Sequence, residues 1–260
     1  MSEFTYPNEL RSAIAAAPHP LLFATISGAH LYGFPSPDSD WDLRGVHVLP
    51  REHFWRLDPP RDETITLDRF ECEVHLDLVT HDLRKFLDLL RRPNGYVLEQ
   101  VMSPLVLETG PAHEELKALA MGCLTREHAR HYIGFAHNQW RLLTKDIQWR
   151  VKPLLYVYRV LLTGLRLLRT GRLECDLTNL LDDHPEFDDV AELLAAKRRS
   201  SEALARTMRE RLLRSPQVAP GGVAPSAPPW QRSYSYASVV DRRSSLPVID
   251  LRRSRDDVHA

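Results

Sequence analysis

Cysteine is scarce and scattered: Cys72, Cys123 and Cys175 are the only three in 260 residues. An odd count at such wide spacing excludes a disulfide scaffold and a zinc knuckle, and it fits reduced thiols in a cytoplasmic protein. A surplus of charge is missing too. Thirty-four Lys and Arg against 35 Asp and Glu leave a net charge of −1, which gives no basis for avid, non-specific nucleic-acid binding, although a local basic cleft is compatible with it. Long apolar runs are also lacking. The most apolar stretch, Leu154 to Leu168, is interrupted by Arg159 and Arg166, so it reads as a buried helix and no membrane span is expected. The opening MSEFTYPNELRSAIAAAPHP has neither the charged nor the apolar region of a secretory leader. What remains is ordinary, 43% apolar and 27% charged, enough for a sizeable core in one large or two small domains.

Along the chain, residues Asn8 to Ala16 read as a short helix that ends before Pro18. LLFATIS (Leu21 to Ser27) is a buried strand that runs into Gly28 and a short turn or helix containing His30 to Gly33. FPSPDSD is a loop, and WDLRGVHVLP is a second strand closed by Pro50. Thr64 to Phe70 reads as an edge strand. ECEVHLDLV alternates, with Glu73, His75 and Asp77 on one face and Val74, Leu76 and Leu78 on the other. Thr80 is the expected N-cap of the next helix, whose apolar residues Leu83, Phe86, Leu87 and Leu90 keep helical spacing.

Helices are then expected over Asn94–Met102, Pro111–Met121, Thr125 to about Lys145, and Pro153–Thr170. The last has Pro153 at its first position and Gly171 at its stop. That helix is apolar nearly all round, as at the centre of a bundle. More helix is expected from Phe187 to about Leu213. The Pro-, Gly- and Ser-containing segment Ser215 to Ala260 reads as a disordered tail. The expected fold is α+β: a small mixed sheet with helices over residues 1–105, a helical region over 106–214 and the tail over 215–260.

The chemistry concentrates in ISGAHLYGFPSPDSDWDLRGV, residues 26–46. Asp40 and Asp42 straddle Trp41 at a strand start, so both carboxylates lie on one side a few ångströms apart. Like charges so close repel unless a cation sits between them. Mg²⁺ suits carboxylate oxygens with phosphates completing its shell, and two such ions can clamp a phosphoryl or nucleotidyl transfer. Gly28 ends the preceding strand at a turn where the backbone can approach a phosphate.

These residues resemble the polymerase-β-type nucleotidyltransferases, whose pattern is an apolar residue, Gly, Gly or Ser, a spacer of about ten residues, then Asp-apolar-Asp. His30 to Ser39 form that spacer here. More closely, SGAHLYGFPSPDSDWDLRGV is similar to predicted nucleotidyltransferases found beside RNA ligases, matching at Tyr32, Gly33, Ser39, Asp40, Asp42, Arg44 and Gly45. Asp77 to Pro104 and Lys152 to Leu177 look like further blocks of that family, so the resemblance covers roughly residues 20–180. It implies the polymerase-β nucleotidyltransferase fold, with residues 1–105 as its catalytic core. It also implies Asp77 as the third carboxylate, with Glu73 and His75 in reserve on the same face.

By the same analogy Asp40, Asp42 and Asp77 would hold Mg²⁺, two ions in all, with Mn²⁺ as a substitute. Ser27, Gly28, Ala29, Tyr32, Ser39, Arg44, Lys152, Tyr156 and Arg159 would line the nucleoside triphosphate site. Two positions leave a choice. Arg159, in so apolar a helix, needs either a triphosphate or a structural carboxylate, and Arg44 can equally brace the two acids. One position departs from the family: Ala29 stands where Ser or Gly is expected, removing a hydroxyl bond to the triphosphate.

The expected activity is transfer of a nucleoside monophosphate to a hydroxyl, with an RNA end as first acceptor and a protein hydroxyl as second. A nucleotide- or RNA-binding module without turnover is the alternative from another class, and an antitoxin-like partner of one cognate protein is a third. His128 and His131, with Cys123 nearby, lack a fourth ligand and read as core or surface residues.

Overall fold

The computed structural model describes residues 6–53, 55, 57, 64–145, 150–184 and 187–198. The tail from 215 onward and the helix expected beyond 198 lie outside the described residues. The fold is mixed α+β, a five-stranded sheet with strand order β3-β4-β2-β1-β5 and helices on both faces. Helix α1 (Asn8–Ala15) precedes β1 (Leu21–Ile26) and the short α2 (Gly28–Leu31). Strand β2 (Trp41–His47) runs antiparallel to β1, and a 3₁₀ turn (Arg51–His53) follows it. Strands β3 (Thr64–Glu71) and β4 (Val74–Asp82) form a hairpin whose second strand pairs parallel to β2.

Helices α3 (Leu83–Leu90) and α4 (Gly95–Met102) come next, and β5 (Val106–Glu108) then adds to the free side of β1. Five helices complete the described chain: α5 (Pro111–Gly122), α6 (His128–Lys145), α7 (Val151–Thr170), α8 (Leu177–Asp182) and α9 (Asp188–Arg198). Because β5 lies past residue 105, the sheet is finished by a segment expected to be part of the helical region. Three residues are too few to show a two-residue period.

Two apolar clusters follow from the alternation of the strands. On one face, Phe23 and Val46 join Phe86, Val97, Leu98 and the inner residues of α6 and α7. On the other, Ile26, Leu43, Leu76 and Leu78 pack under Leu10 and Ala13 of α1. Helix α7 is at the centre, as its all-round apolar sequence predicts, and Gly171 ends it with a φ of 71°. Its first residue is Val151, so Pro153 occupies the third position rather than the first.

Two expected boundaries change, for physical reasons. The strand expected over ECEVHLDLV is broken by a turn at Cys72–Glu73, with Cys72 at a φ of 55°. Glu73 therefore sits in the hairpin turn, off the face it was expected to share with His75 and Asp77. Thr80 is not an N-cap. It lies inside β4, which stays paired as far as Asp82 opposite His47. Asp82 caps α3, its carboxylate accepting from the Arg84 and Lys85 amides at 2.9 and 3.3 Å. The helix expected from Thr125 begins at His128.

Candidate active site

Parallel pairing of β2 with β4 sets Asp42 directly opposite Asp77. Both project from the sheet face opposite α1, at the sheet end where β1 turns into α2. Between them lies the guanidinium of Arg44, two residues along β2 and on the same face. Its Nη2 donates to Asp42 Oδ1 and to Asp77 Oδ2, each at 2.8 Å. Its Nη1 donates to the carbonyls of Leu43 and Asp77 at 2.8 and 2.7 Å, and Nε donates to the Tyr96 hydroxyl at 2.8 Å. Every branch of the side chain is engaged, so its position is fixed.

The electrostatics follow from this crowding. Asp42 is held above the usual carboxylate range, first by burial and then by Asp77 and Asp40, with Arg44 and Lys152 opposing. Burial works against the charge of Arg44, yet Tyr96, Asp42 and Asp77 together outweigh it and its pKa is raised.

Asp40 is held separately. His75 Nδ1 lies 2.7 Å from Asp40 Oδ1, and His75 Nε2 lies 2.7 Å from Asp68 Oδ1. Phe70 stacks on the same imidazole, ring centroids 4.3 Å apart. The two carboxylates raise the His75 pKa, Asp68 foremost, which favours the imidazolium bridging both.

Gly28 has a φ of +61°, and a Cβ there would fall on the Asp42 carboxylate. Only glycine satisfies both the backbone angle and that approach. Ser27 precedes it with its hydroxyl buried and unpartnered, while its amide donates to the Asp42 carbonyl at 2.8 Å. Ala29 is buried in the main core. The Ser39 hydroxyl accepts from the Ser36 amide at 2.9 Å and braces the loop before Asp40.

Helix α7 closes the site. Lys152 is exposed and its charge acts on both Asp42 and Asp38. Tyr156 lies close enough to Asp42 to feel its charge, and burial first, then Asp42, pushes its pKa up to about 12. Arg159 lies deeper, and of its two expected partners the structure supplies the carboxylate. Its Nη1 is 2.8 and 2.9 Å from the Glu99 oxygens, and both side chains are only 3% exposed. Tyr32 belongs to the same buried network, its ring 3.8 Å under the guanidinium and its hydroxyl 3.2 Å from Glu99. These two residues support the site's floor and do not open onto it.

Four contributors escaped the sequence reading: Tyr96, which anchors Arg44; Glu99, which neutralises Arg159; Asp68, which completes the His75 bridge; and Lys197, which donates to the Ser36 hydroxyl at 2.6 Å. The first two fall in PNGYVLEQ, a segment already notable for its resemblance, but no residue in it was assigned a role.

A divalent cation fits this donor set only together with a ligand. Among the described residues, no three His, Cys, Asp or Glu side chains are gathered tightly enough to cage an ion. The three aspartates nonetheless each keep one oxygen outside the bonds just given: Oδ2 of Asp40, Oδ2 of Asp42 and Oδ1 of Asp77. Mg²⁺ is characteristically held by one or two carboxylates, waters and substrate phosphates, and such a shared site suits this arrangement. No helix among the described residues is long and apolar enough to cross a membrane.

The sequence pattern of the RNA repair pathway DNA polymerase beta family matches residues 4–215. The uncharacterized protein MJ0002 of Methanocaldococcus jannaschii is 35% identical over 181 residues, covering 68% of this chain and 72% of that protein. The uncharacterized protein YcgL of Bacillus subtilis is 29% identical over 192 residues, 71% of this chain and 72% of that one. A crystal structure of a nucleotidyltransferase-like protein from Exiguobacterium sibiricum overlaps 79% of this chain and 74% of its own. The TM-score is 0.32 at 13% identity, too loose an overlap to carry an argument.

Proposed function

The chain belongs to the RNA repair pathway DNA polymerase beta family, and on that premise we propose that it transfers a nucleoside monophosphate from a nucleoside triphosphate to a hydroxyl, an RNA end before a protein side chain. The observation that carries this reading is the register of β2 and β4. It sets Asp42 against Asp77 beside the Gly28 turn, a concentration of negative charge that a triphosphate alone would not enter.

Asp40, Asp42 and Asp77 would hold Mg²⁺, two ions with Mn²⁺ as a substitute. When bound, these would neutralise the triphosphate and acidify the attacking hydroxyl. The remaining roles belong to the chain. Gly28 lets the main chain approach the phosphates, and the unpartnered Ser27 hydroxyl is a donor available beside that turn. Lys152, exposed at the mouth, offers a positive charge to the triphosphate. Arg44 fixes the two facing carboxylates so that they need not reorganise during reaction. The acceptor oxygen then forms a bond to the α-phosphorus, its proton is released to water, and the bond to the bridging oxygen breaks to release pyrophosphate.

The test is incubation with each labelled nucleoside triphosphate, Mg²⁺, and separate RNA and protein acceptor pools. Label should enter the RNA pool with the wild type and not with Asp40→Ala/Asp42→Ala. Equal labelling by both proteins would sink the mechanism. A second reading, a nucleotide-binding module without turnover, is favoured by Arg44 already satisfying two of the acids and by Ala29. Triphosphate binding that does not depend on Mg²⁺, with no label in either pool, would select it.

A further inference from the structure

Across β2 from the carboxylates lies an open cavity of about 740 Å³, lined among others by Tyr6, His30, Ser36, Ser39, Trp41 and Arg198. Its volume is within the range of sites that take a small molecule or one residue of a polymer. His30 and Trp41 stack nearly parallel on its wall, centroids 3.7 Å apart and planes inclined by 13°. Neither ring nitrogen of His30 reaches a partner of ordinary hydrogen-bond geometry, although both are buried. Burial lowers the imidazole's pKa, the Ser39 backbone opposing, which favours the uncharged ring.

Two relationships say what fits such a wall. First, Trp41 is the residue between Asp40 and Asp42, and alternation sends its side chain to the opposite face of the sheet. A ligand occupying both the cavity and the acid site must therefore pass over the start of β2, as an extended chain does. Second, cations mark that path. Lys152 acts on Asp42 and Asp38, Lys197 holds Ser36, and Arg198 lines the cavity itself. Stacking plates reached along a line of cations are how single-stranded nucleic acid is gripped without sequence preference.

We propose that this cavity holds a nucleobase of a single-stranded RNA acceptor, one lying inward from the reacting end, with its base against the His30–Trp41 pair and its phosphates along Lys197 and Arg198. The assignment rests on the nucleotidyl-transfer reading for the acid site. It makes the acceptor a polynucleotide and leaves the triphosphate's base outside this cavity.

The test uses the full chain and two probes, a fluorescein-labelled single-stranded oligoadenylate followed by anisotropy and ATP with Mg²⁺ followed by calorimetry. Removing one stacking plate in His30→Ala should weaken the oligonucleotide about tenfold and leave ATP affinity unchanged. His30→Phe, which keeps a plate, should restore binding, and matching thermal melts of the two variants exclude misfolding. The proposal is overturned if His30→Ala binds the oligonucleotide as the wild type does, if His30→Phe is as weak as His30→Ala, or if ATP weakens in step with RNA. It is likewise overturned if the wild type ignores the oligonucleotide. Failure of the transfer chemistry is read separately: Asp40→Ala/Asp42→Ala retaining transfer would sink that reading while leaving His30-dependent RNA binding in place.

Discussion

Arg44 places a single nitrogen, Nη2, 2.8 Å from both Asp42 and Asp77. One positive charge therefore serves two carboxylates that the sheet forces together. Lysine can supply the charge but not the planar fork that also reaches Tyr96 and two carbonyls. Arg44→Lys should lower nucleotidyl transfer about a hundredfold, as measured by single-turnover rates, with the circular-dichroism spectrum unchanged. A rate within a few-fold of wild type would mean that the fork does not position the acids.

Tyr96→Phe probes the same arrangement more gently. It removes the acceptor for Arg44 Nε and leaves the other bonds in place, at a cost of about 1 kcal/mol. Transfer should fall less than in Arg44→Lys. The double variant should be no worse than Arg44→Lys alone, since both changes act through one side chain.

Gly28→Ala adds a Cβ where the Asp42 carboxylate already lies, at a φ of +61°. The carboxylate must rotate away or the turn must open. Either response should abolish measurable transfer while the apolar core stays as it is. A variant with wild-type turnover would show that Asp42 has room that the structure does not give it.

The buried pair Arg159–Glu99 predicts a change in stability. Glu99→Gln leaves a guanidinium buried without its countercharge and should destabilise the fold by about 3–5 kcal/mol, read from denaturant midpoints. Replacing both partners with apolar residues should recover much of that loss, because it removes the stranded charge.

Acid sensitivity should come partly from His113, which is wholly buried, stacks on Phe23 at 4.4 Å and bonds the Val101 carbonyl at 3.0 Å. Burial lowers its pKa from 6.5, with Val101 opposing. As pH falls below about 6.5 the unfolded chain takes the proton first. The stability is thus present above that pH and lost as pH drops toward the folded-state value. His113→Gln should show a smaller fall in melting temperature between about pH 7.5 and 5.5 than the wild type.

What could be read from the sequence was what short range determines. The spacing of Asp40 and Asp42, the glycine turn before them and the apolar pattern of α7 are local, and they led directly to β1, β2 and the central helix. The partnership of Asp42 with Asp77 joins residues 35 apart and exists only once β4 is laid parallel to β2; for Asp77 only the resemblance spoke. Glu99 and Arg159 are 60 apart, and nothing near either one names the other. Glu73 was misplaced because the hairpin turns at Cys72, which adopts a positive φ without the glycine or asparagine that would have signalled it. Thr80 was mistaken for a cap because pairing with β2 and β3 carries the strand on to the better cap, Asp82.

The β2–β4 register also acts as a quality check on folding. Leu76 and Leu78, the neighbours of Asp77, are buried beneath α1 on the other side of the sheet. A slip of one residue would set a leucine opposite Asp42 and drive Asp77 into the apolar layer. The error that would disarm the acids is therefore the same error that would ruin the core. A molecule stable enough to persist has, by that fact, its carboxylates facing one another.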